Sequence, residues 1–296
     1  MSTKRIFAIA MLAVLAGCAT HDVPRAVSTT GAGWLDDVST ISAAPDNDGR
    51  RLAVQQRLDT LGIAWRTERF ESKGKRGKNI LAEIGGPTGA PLLLIGAHYD
   101  RVQVGHGATD NATGSATVLA LAERFKRVPL KGHRVAIALW DLEELGLLGS
   151  TAHVANGAQE TALYVNFDVF GWGDTLWMMT PDATHPLVAT SAAAASAEGL
   201  TFSAGDQYPP TDHLAFLKGG RTAVSYSLVG AGEVAGILEV FAGRKPATMP
   251  KVMEVIHNER DTLAEVDAVA AERGVDAIEI ALRDWDAATV ASHATK

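Results

Sequence analysis

With 296 residues and 47% hydrophobic content, the chain can bury a sizeable core, and its length suits one large domain better than several small ones. A formal charge of −7, from 27 basic against 34 acidic side chains, disfavours nucleic acid and anionic membrane faces as partners. Cys18 is the only cysteine, which excludes an intramolecular disulfide.

Lys4 and Arg5 precede the apolar run Ile6–Leu15, shorter than the roughly 20 residues a spanning helix needs, so the segment reads as a signal peptide. The run ends in Leu15-Ala16-Gly17-Cys18, which resembles a bacterial lipobox; residues 1–17 are then the signal peptide and Cys18 carries lipid. Cleavage there leaves 25 basic against 34 acidic side chains, a formal charge of −9. Residues 18–33, with the Thr/Ser/Gly/Ala-rich stretch Ala19–Gly33, read as a lipidated tether, and residues 34–296 as a single domain. Ala19 carries no inner-membrane retention signal, so the expected location is the periplasmic side of the envelope, anchored to the outer membrane.

Arg50–Leu61, with Leu52, Val54, Leu58 and Leu61, suits an amphipathic helix stopped by Gly62. Ser72–Lys78 reads as a solvated turn between strands. Asn79–Ile84, Leu92–Ala97, Val135–Trp140, Leu163–Phe167, Leu176–Met179 and Ala223–Val229 are short apolar runs bounded by turn formers, as buried strands are. Ala112–Phe125 and Val275–Trp285 read as covering helices. The expected architecture is α/β: three layers, with a central mixed, mostly parallel sheet between helices.

Ligands in such folds gather at the carboxyl ends of strands. Leu92–Ala97 runs into His98-Tyr99-Asp100, and a glycine-rich loop then leads to Asp110-Asn111. Val135–Trp140 ends near Glu143 and Glu144, Leu163–Phe167 ends in Asp168, and a late turn carries His257. Singly, each has an ordinary structural reading: a backbone-bonded histidine, a helix N-cap for Asp110, a solvated pair of glutamates. Together, two imidazoles and three carboxylates form a mixed nitrogen and oxygen ligand set of the kind that suits zinc with an open position. One carboxylate bridging two ions would use all five groups, and a further, unligated carboxylate could move the proton of a water. Adjacent side chains of an extended segment diverge, so Glu143 and Glu144 can hold one role each.

The blocks Gly96-Ala97-His98-Tyr99-Asp100, Gly107–Gly114, Glu143–Ser150, Asn166-Phe167-Asp168 and Ile256-His257 resemble, in order, those of co-catalytic zinc exopeptidases of the aminopeptidase Y and bacterial leucyl aminopeptidase type. The resemblance implies two zinc ions, with Asp110 bridging, His98 and Asp168 completing one site, and Glu144 with His257 the other. It implies Glu143 as general base and Asp100 as the acid that orients His98. Peptides with a free N-terminus are the implied substrates, and a monomer is expected.

Thr211-Asp212-His213-Leu214-Ala215-Phe216 is similar to a family segment near the substrate pocket, which makes Asp212 and His213 candidates for orienting substrate or supporting the metal ligands. Tyr226 is a candidate oxyanion donor. Phe170, Trp172, Trp177 and Met178 are candidate pocket walls. Val169-Phe170-Gly171 and Arg101 depart from the family pattern and bear on substrate preference. Glutaminyl cyclase chemistry with a single zinc, and a non-catalytic zinc-binding lipoprotein, are the alternatives on the same fold; retention of Glu143 speaks against the second, because a binding site needs no general base.

Overall fold

The computed structural model of the protein describes residues 32–157 and 161–294; the expected signal peptide and Cys18 lie outside the described residues. The chain runs through α1 (Ala32–Ser42), α2 (Asn47–Thr60), the hairpin β1 (Trp65–Ser72) and β2 (Lys75–Gly85), β3 (Leu92–His98), α3 (Thr113–Arg127), β4 (Arg134–Trp140) and α4 (Leu148–Ala155). It continues through β5 (Thr161–Phe170), β6 (Thr175–Met179), α5 (Pro186–Ala197), β7 (Thr201–Gly205), α6 (His213–Lys218), β8 (Ala223–Val229), α7 (Glu233–Phe241), α8 (Lys251–Val255) and α9 (Ala268–Ala294).

The strands form one sheet in the order β1-β2-β4-β3-β5-β8-β6-β7. Its middle is parallel, through β4, β3, β5 and β8, while β1/β2, β2/β4 and β6/β8 pair antiparallel. Every residue of β3 and β8 is buried, as expected of strands covered on both faces. On one face Val54, Leu58, Leu119, Phe125, Ile278 and Leu282 pack into the large core. On the other, Trp140, Tyr164, Ala215 and Phe216 form a smaller one beneath α4 and α6. Each fully buried Leu, Ile or Phe contributes about 1.5–3 kcal/mol of transfer free energy. No helix among the described residues is long and apolar enough to cross a membrane.

Two edge strands escape sequence reading for a common reason. β1 (Trp-Arg-Thr-Glu-Arg-Phe-Glu-Ser) buries only Phe70, and β7 buries none of its residues, so neither carries an apolar run. Within Ser72–Lys78 only Lys73 and Gly74 turn, both at positive φ, and Lys75–Lys78 already pair with β1. In α2, Val54 and Leu58 point inward and Leu52 is exposed. α1 begins inside the expected tether, because Trp34, Val38 and Ile41 bury one helical face against the core.

The topology places the site. β3 and β5 are neighbours, and the chain leaves β3 toward β4 on one side and β5 toward β6 on the other, which opens a crevice at their carboxyl ends. His98 closes β3, Glu143 and Glu144 follow β4, and Asp168 lies near the end of β5.

Candidate metal centre and active site

Four carboxylates and two imidazoles converge in this crevice. His98 Nε2 lies 3.2 Å from Asp110 Oδ1 and 3.5 Å from Asp168 Oδ1. His257 Nε2 lies 3.1 Å from both Asp110 Oδ2 and Glu144 Oε2. Asp110 therefore turns one oxygen toward each imidazole and stands between two groups of three. Glu143 shares a cluster with His98 and Asp168 whose donor atoms lie within 4.8 Å of one another, so distance alone permits it as a ligand as well as a base.

Each of these side chains is held from behind. Asp100 faces the other ring nitrogen of His98 at 3.4 Å, and its two oxygens also accept the backbone N–H groups of Glu143 and Glu144 at 3.0 and 3.2 Å. One residue thus sets both the imidazole and the paired acids. Ser115 donates to the carbonyl of His98 at 2.9 Å. Asn111 donates to Phe167 O at 2.9 Å and accepts from Gly114 N at 2.9 Å, fastening the Asp110 turn to β5.

Asp261 accepts the N–H groups of Thr109 and Asp110 at 2.6 and 3.2 Å, and Arg50 donates to the carbonyls of Tyr99, His106 and Gly107 from a fully buried position. Neither Asp261 nor Arg50 announces itself in sequence, since each acts on backbone remote along the chain. Gly105, at φ 71°, brings its loop so near that a Cβ would stand 2.3 Å from Asn258 O, beside His257.

Backbone strain collects here. Leu142, Val169 and His257 all have positive φ, at 59°, 55° and 55°, directly before Glu143, directly after Asp168 and at a candidate ligand itself. A β-branched residue in this region is an outlier that the surrounding structure must impose.

The electrostatics call for positive charge. Burial pushes the His98 imidazolium down, but Glu143, Asp100, Asp110 and Asp168 outweigh it and hold its pKa well above the usual value. Hydrogen bonds that His257 donates to Asp110 and Glu144 lift its pKa to about 10. Burial raises Asp110, yet the two imidazoles pull it below the ordinary carboxylate range. Glu143 is pushed up to about 10, chiefly by burial, with His98 opposing and Asp212, Asp168 and Asp110 adding. Glu144 Oε1 and Asp168 Oδ1 are buried without a hydrogen-bond donor. Asp168 Oδ1 faces His98, and Glu144 turns its other oxygen to His257; buried carboxylate oxygens without donors beside imidazoles are a donor set that a divalent cation satisfies, and the residues fit zinc.

Beside the cluster lies a cavity of about 320 Å³, lined by Asp110, Glu143, Glu144, Asp168 and His257 at one end and by Val169, Trp177, Tyr208, Val229, Ile237, Phe241, Val252, Met253 and Ile256 over the rest. Of the four expected wall residues Trp177 is present. Phe170 is not: pairing with β8 shifts between Phe167 and Phe170, and Val169 adopts positive φ, so the alternation breaks and Phe170 packs edge-on to Phe167 in the large core. Met178 points to that same core, and Trp172 turns its indole to Glu233.

Tyr226 also lies away from the cavity; its ring stacks on Phe167, and its hydroxyl shares a 2.8 Å hydrogen bond with Ser191 on α5. Its neighbour Ser227 faces the cavity instead, bonded to Tyr208, a tyrosine that sequence reading passed over although it stands shortly before Asp212. Asp212 and His213 are buried behind the cavity, not in its lining. Burial pushes Asp212 up to about 7 and His213 down to about 4, and the His213 ring meets Tyr208 edge-on at 5.7 Å.

Paired acids and imidazoles at the strand ends of a three-layer α/β sheet, opening on an apolar cavity, define a candidate hydrolytic metal centre. Residues 79–280 match the family model described as Peptidase family M28, and the chain belongs to that family. It is 34% identical over 153 residues to leupeptin-inactivating enzyme 1 of Streptomyces exfoliatus, covering 46% of this chain and 34% of the relative. It is 32% identical over 125 residues to a probable lipoprotein aminopeptidase, LpqL, of Mycobacterium tuberculosis, covering 41% and 24%. The chain thus spans about a third or less of these curated relatives.

Among solved structures, a zinc aminopeptidase from Bacillus subtilis superposes with TM-score 0.58 at 21% identity, over 72% of this chain and 51% of that one. Porphyromonas gingivalis glutaminyl cyclase superposes with TM-score 0.70 at 17% identity, over 86% and 98%. At these identities the two structures share the fold with this chain.

Proposed function

We propose that the protein is a zinc-dependent aminopeptidase that removes an apolar N-terminal residue from peptides. What supports this reading is Asp110 standing between His98 with Asp168 and His257 with Glu144, with Glu143 beside them in the lining of a largely apolar cavity. His98, Asp110 and Asp168 would hold one zinc ion, and Asp110, Glu144 and His257 a second. Zinc bound there supplies a Lewis acid for the scissile carbonyl and acidifies a water.

Glu143 takes the proton of the attacking water and hands it to the leaving amine. Asp100 keeps the His98 ring and the Glu143 backbone in register. The apolar wall receives the side chain of the N-terminal residue.

The test is metal content by mass spectrometry on protein lacking Met1–Cys18, paired with hydrolysis of leucine p-nitroanilide before and after chelation. About two zinc ions per chain, with activity lost to the chelator and restored by zinc, is the expected result. Absence of bound metal would overturn the reading. Cyclase chemistry is the second reading, favoured by the nearly full-length superposition on a glutaminyl cyclase. One zinc ion, with cyclisation of N-terminal glutamine and no release of p-nitroaniline, would select it.

The reading extends to the cell. Residues 1–17 act as a signal peptide, Cys18 is lipidated, residues up to 33 tether the domain, and the enzyme works as a monomer on the periplasmic side of the outer membrane. Leu15-Ala16-Gly17-Cys18, and a relative named as a lipoprotein aminopeptidase, support this. Incorporation of radiolabelled palmitate that is lost in Cys18→Ser is the expected result, and unchanged labelling would overturn it.

A further inference from the structure

The cavity wall opposite the sheet is one excursion of the chain, Gly230–Ile256, which carries α7 and α8. Ile237, Phe241, Val252, Met253 and Ile256 line the cavity from it. Of the residues in these two helices only Ile237, Val252 and Val255 are buried, in a small apolar cluster separate from both sheet-face cores. Apolar burial is non-directional, so a cluster of this size does not fix where the arm sits. Directed bonds must.

Glu233, the first residue of α7, supplies them. Its Oε2 accepts from the backbone N–H of Gly230 at 2.6 Å and from the indole N–H of Trp172 at 2.9 Å, and its Oε1 accepts from the N–H of Val252 at 2.9 Å. The three donors come from the entry of the arm, the segment just past Asp168 and the start of α8. Lys251 adds a tie at the same place, with its ammonium 4.1 Å from the centroid of the Trp172 ring and 3.2 Å from the Glu265 carboxylate.

We infer that Glu233 is a positioning residue that sets the wall of the side-chain cavity and hence the selectivity for large apolar N-terminal residues; the inference rests on the aminopeptidase reading. Hydrogen bonds to a carboxylate are the stronger kind, and here they join three segments that share no ladder. Without the carboxylate, the Trp172 and Val252 N–H groups lose their acceptor, and α8 is free to move with Val252, Met253 and Ile256. A leucine side chain extends three carbons beyond an alanine methyl, so its binding depends more on the apolar wall. Loosening the wall therefore lowers the preference between the two substrates.

The experiment uses the metal-loaded full chain, its Glu233→Ala and Glu233→Gln variants, and leucine and alanine p-nitroanilides, with metal content and hydrogen–deuterium exchange of residues 230–256 measured alongside. Glu233→Ala should lower the leucine-to-alanine ratio of kcat/KM by about tenfold, the change lying mainly in KM for leucine, with metal content retained and exchange in the arm accelerated. Glu233→Gln should lower the ratio less, because its amide oxygen can still serve Gly230 and Trp172. A ratio unchanged in both variants overturns the inference. If the parent protein cleaves neither substrate, the aminopeptidase reading has failed, and exchange decides the knot itself: faster exchange in the arm upholds it and unchanged exchange overturns it.

Discussion

The two halves of the candidate site are built differently. The sheet half carries His98, Asp110 and Asp168 on strand ends and a turn pinned by Asn111, Asp261 and Arg50, and His98 is 1% exposed. The arm half carries His257 and the cavity wall on α7 and α8, and the His257 side chain is 51% exposed. Strand ends buried on both faces give precision; an arm held by Glu233, the Lys251 tie and a few apolar contacts can change shape at smaller cost. On the proposed reading, most of the chemistry sits on the first half, and substrate choice on the second.

The sharpest test of the sheet half is the pair of adjacent acids. Glu143→Gln should reduce turnover by roughly a thousandfold with zinc content unchanged, while Glu144→Gln should lower zinc content. Mass spectrometry of both variants decides it, and equal metal loss would make Glu143 a ligand, as its closeness to His98 and Asp168 permits.

Stability should separate the halves as well. Arg50→Met removes the side-chain donor from the Tyr99, His106 and Gly107 carbonyls, of which Gly107 O keeps the N–H of Ala112, and should cost about 2 kcal/mol in urea unfolding. Compared in chelator, where metal contributes nothing, His98→Ala should cost about 2 kcal/mol and His257→Ala under about 0.5 kcal/mol, because only the first is packed. Equal costs would erase the distinction between a rigid half and a mobile one.

A titration remote from both halves gives the smallest effect and a baseline. Burial raises Asp286, but bonds from His133, Lys131 N and Gly132 N outweigh it and leave its pKa below the ordinary 3.8. A folded pKa depressed in this way contributes stability above pH 3.8 that is lost as pH falls toward the folded value. Asp286→Asn should remove that acid-side loss in thermal melts between pH 3 and 5, and an unchanged slope would discard the assignment.

Much of this was readable from the chain. The buried strands stood out because a strand covered on both faces needs an unbroken apolar run, and the five candidate ligands followed those runs or their turns in recognisable blocks. β1 and β7 stayed hidden because edge strands bury little. Phe170 was a candidate as an aromatic residue beside Asp168, and a register shift beside Val169 turns it into the large core instead.

Sequence by itself determined the α/β class, the donor types at the strand ends and the presence of two adjacent acids, since these are properties of short segments governed by burial and side-chain chemistry. Tertiary structure alone decided that Asp110 faces both imidazoles, that Asp261 and Arg50 hold remote backbone, and that Tyr208, not Tyr226, reaches the cavity. Those contacts join residues far apart along the chain, and their geometry follows from how the sheet twists, bulges and is covered.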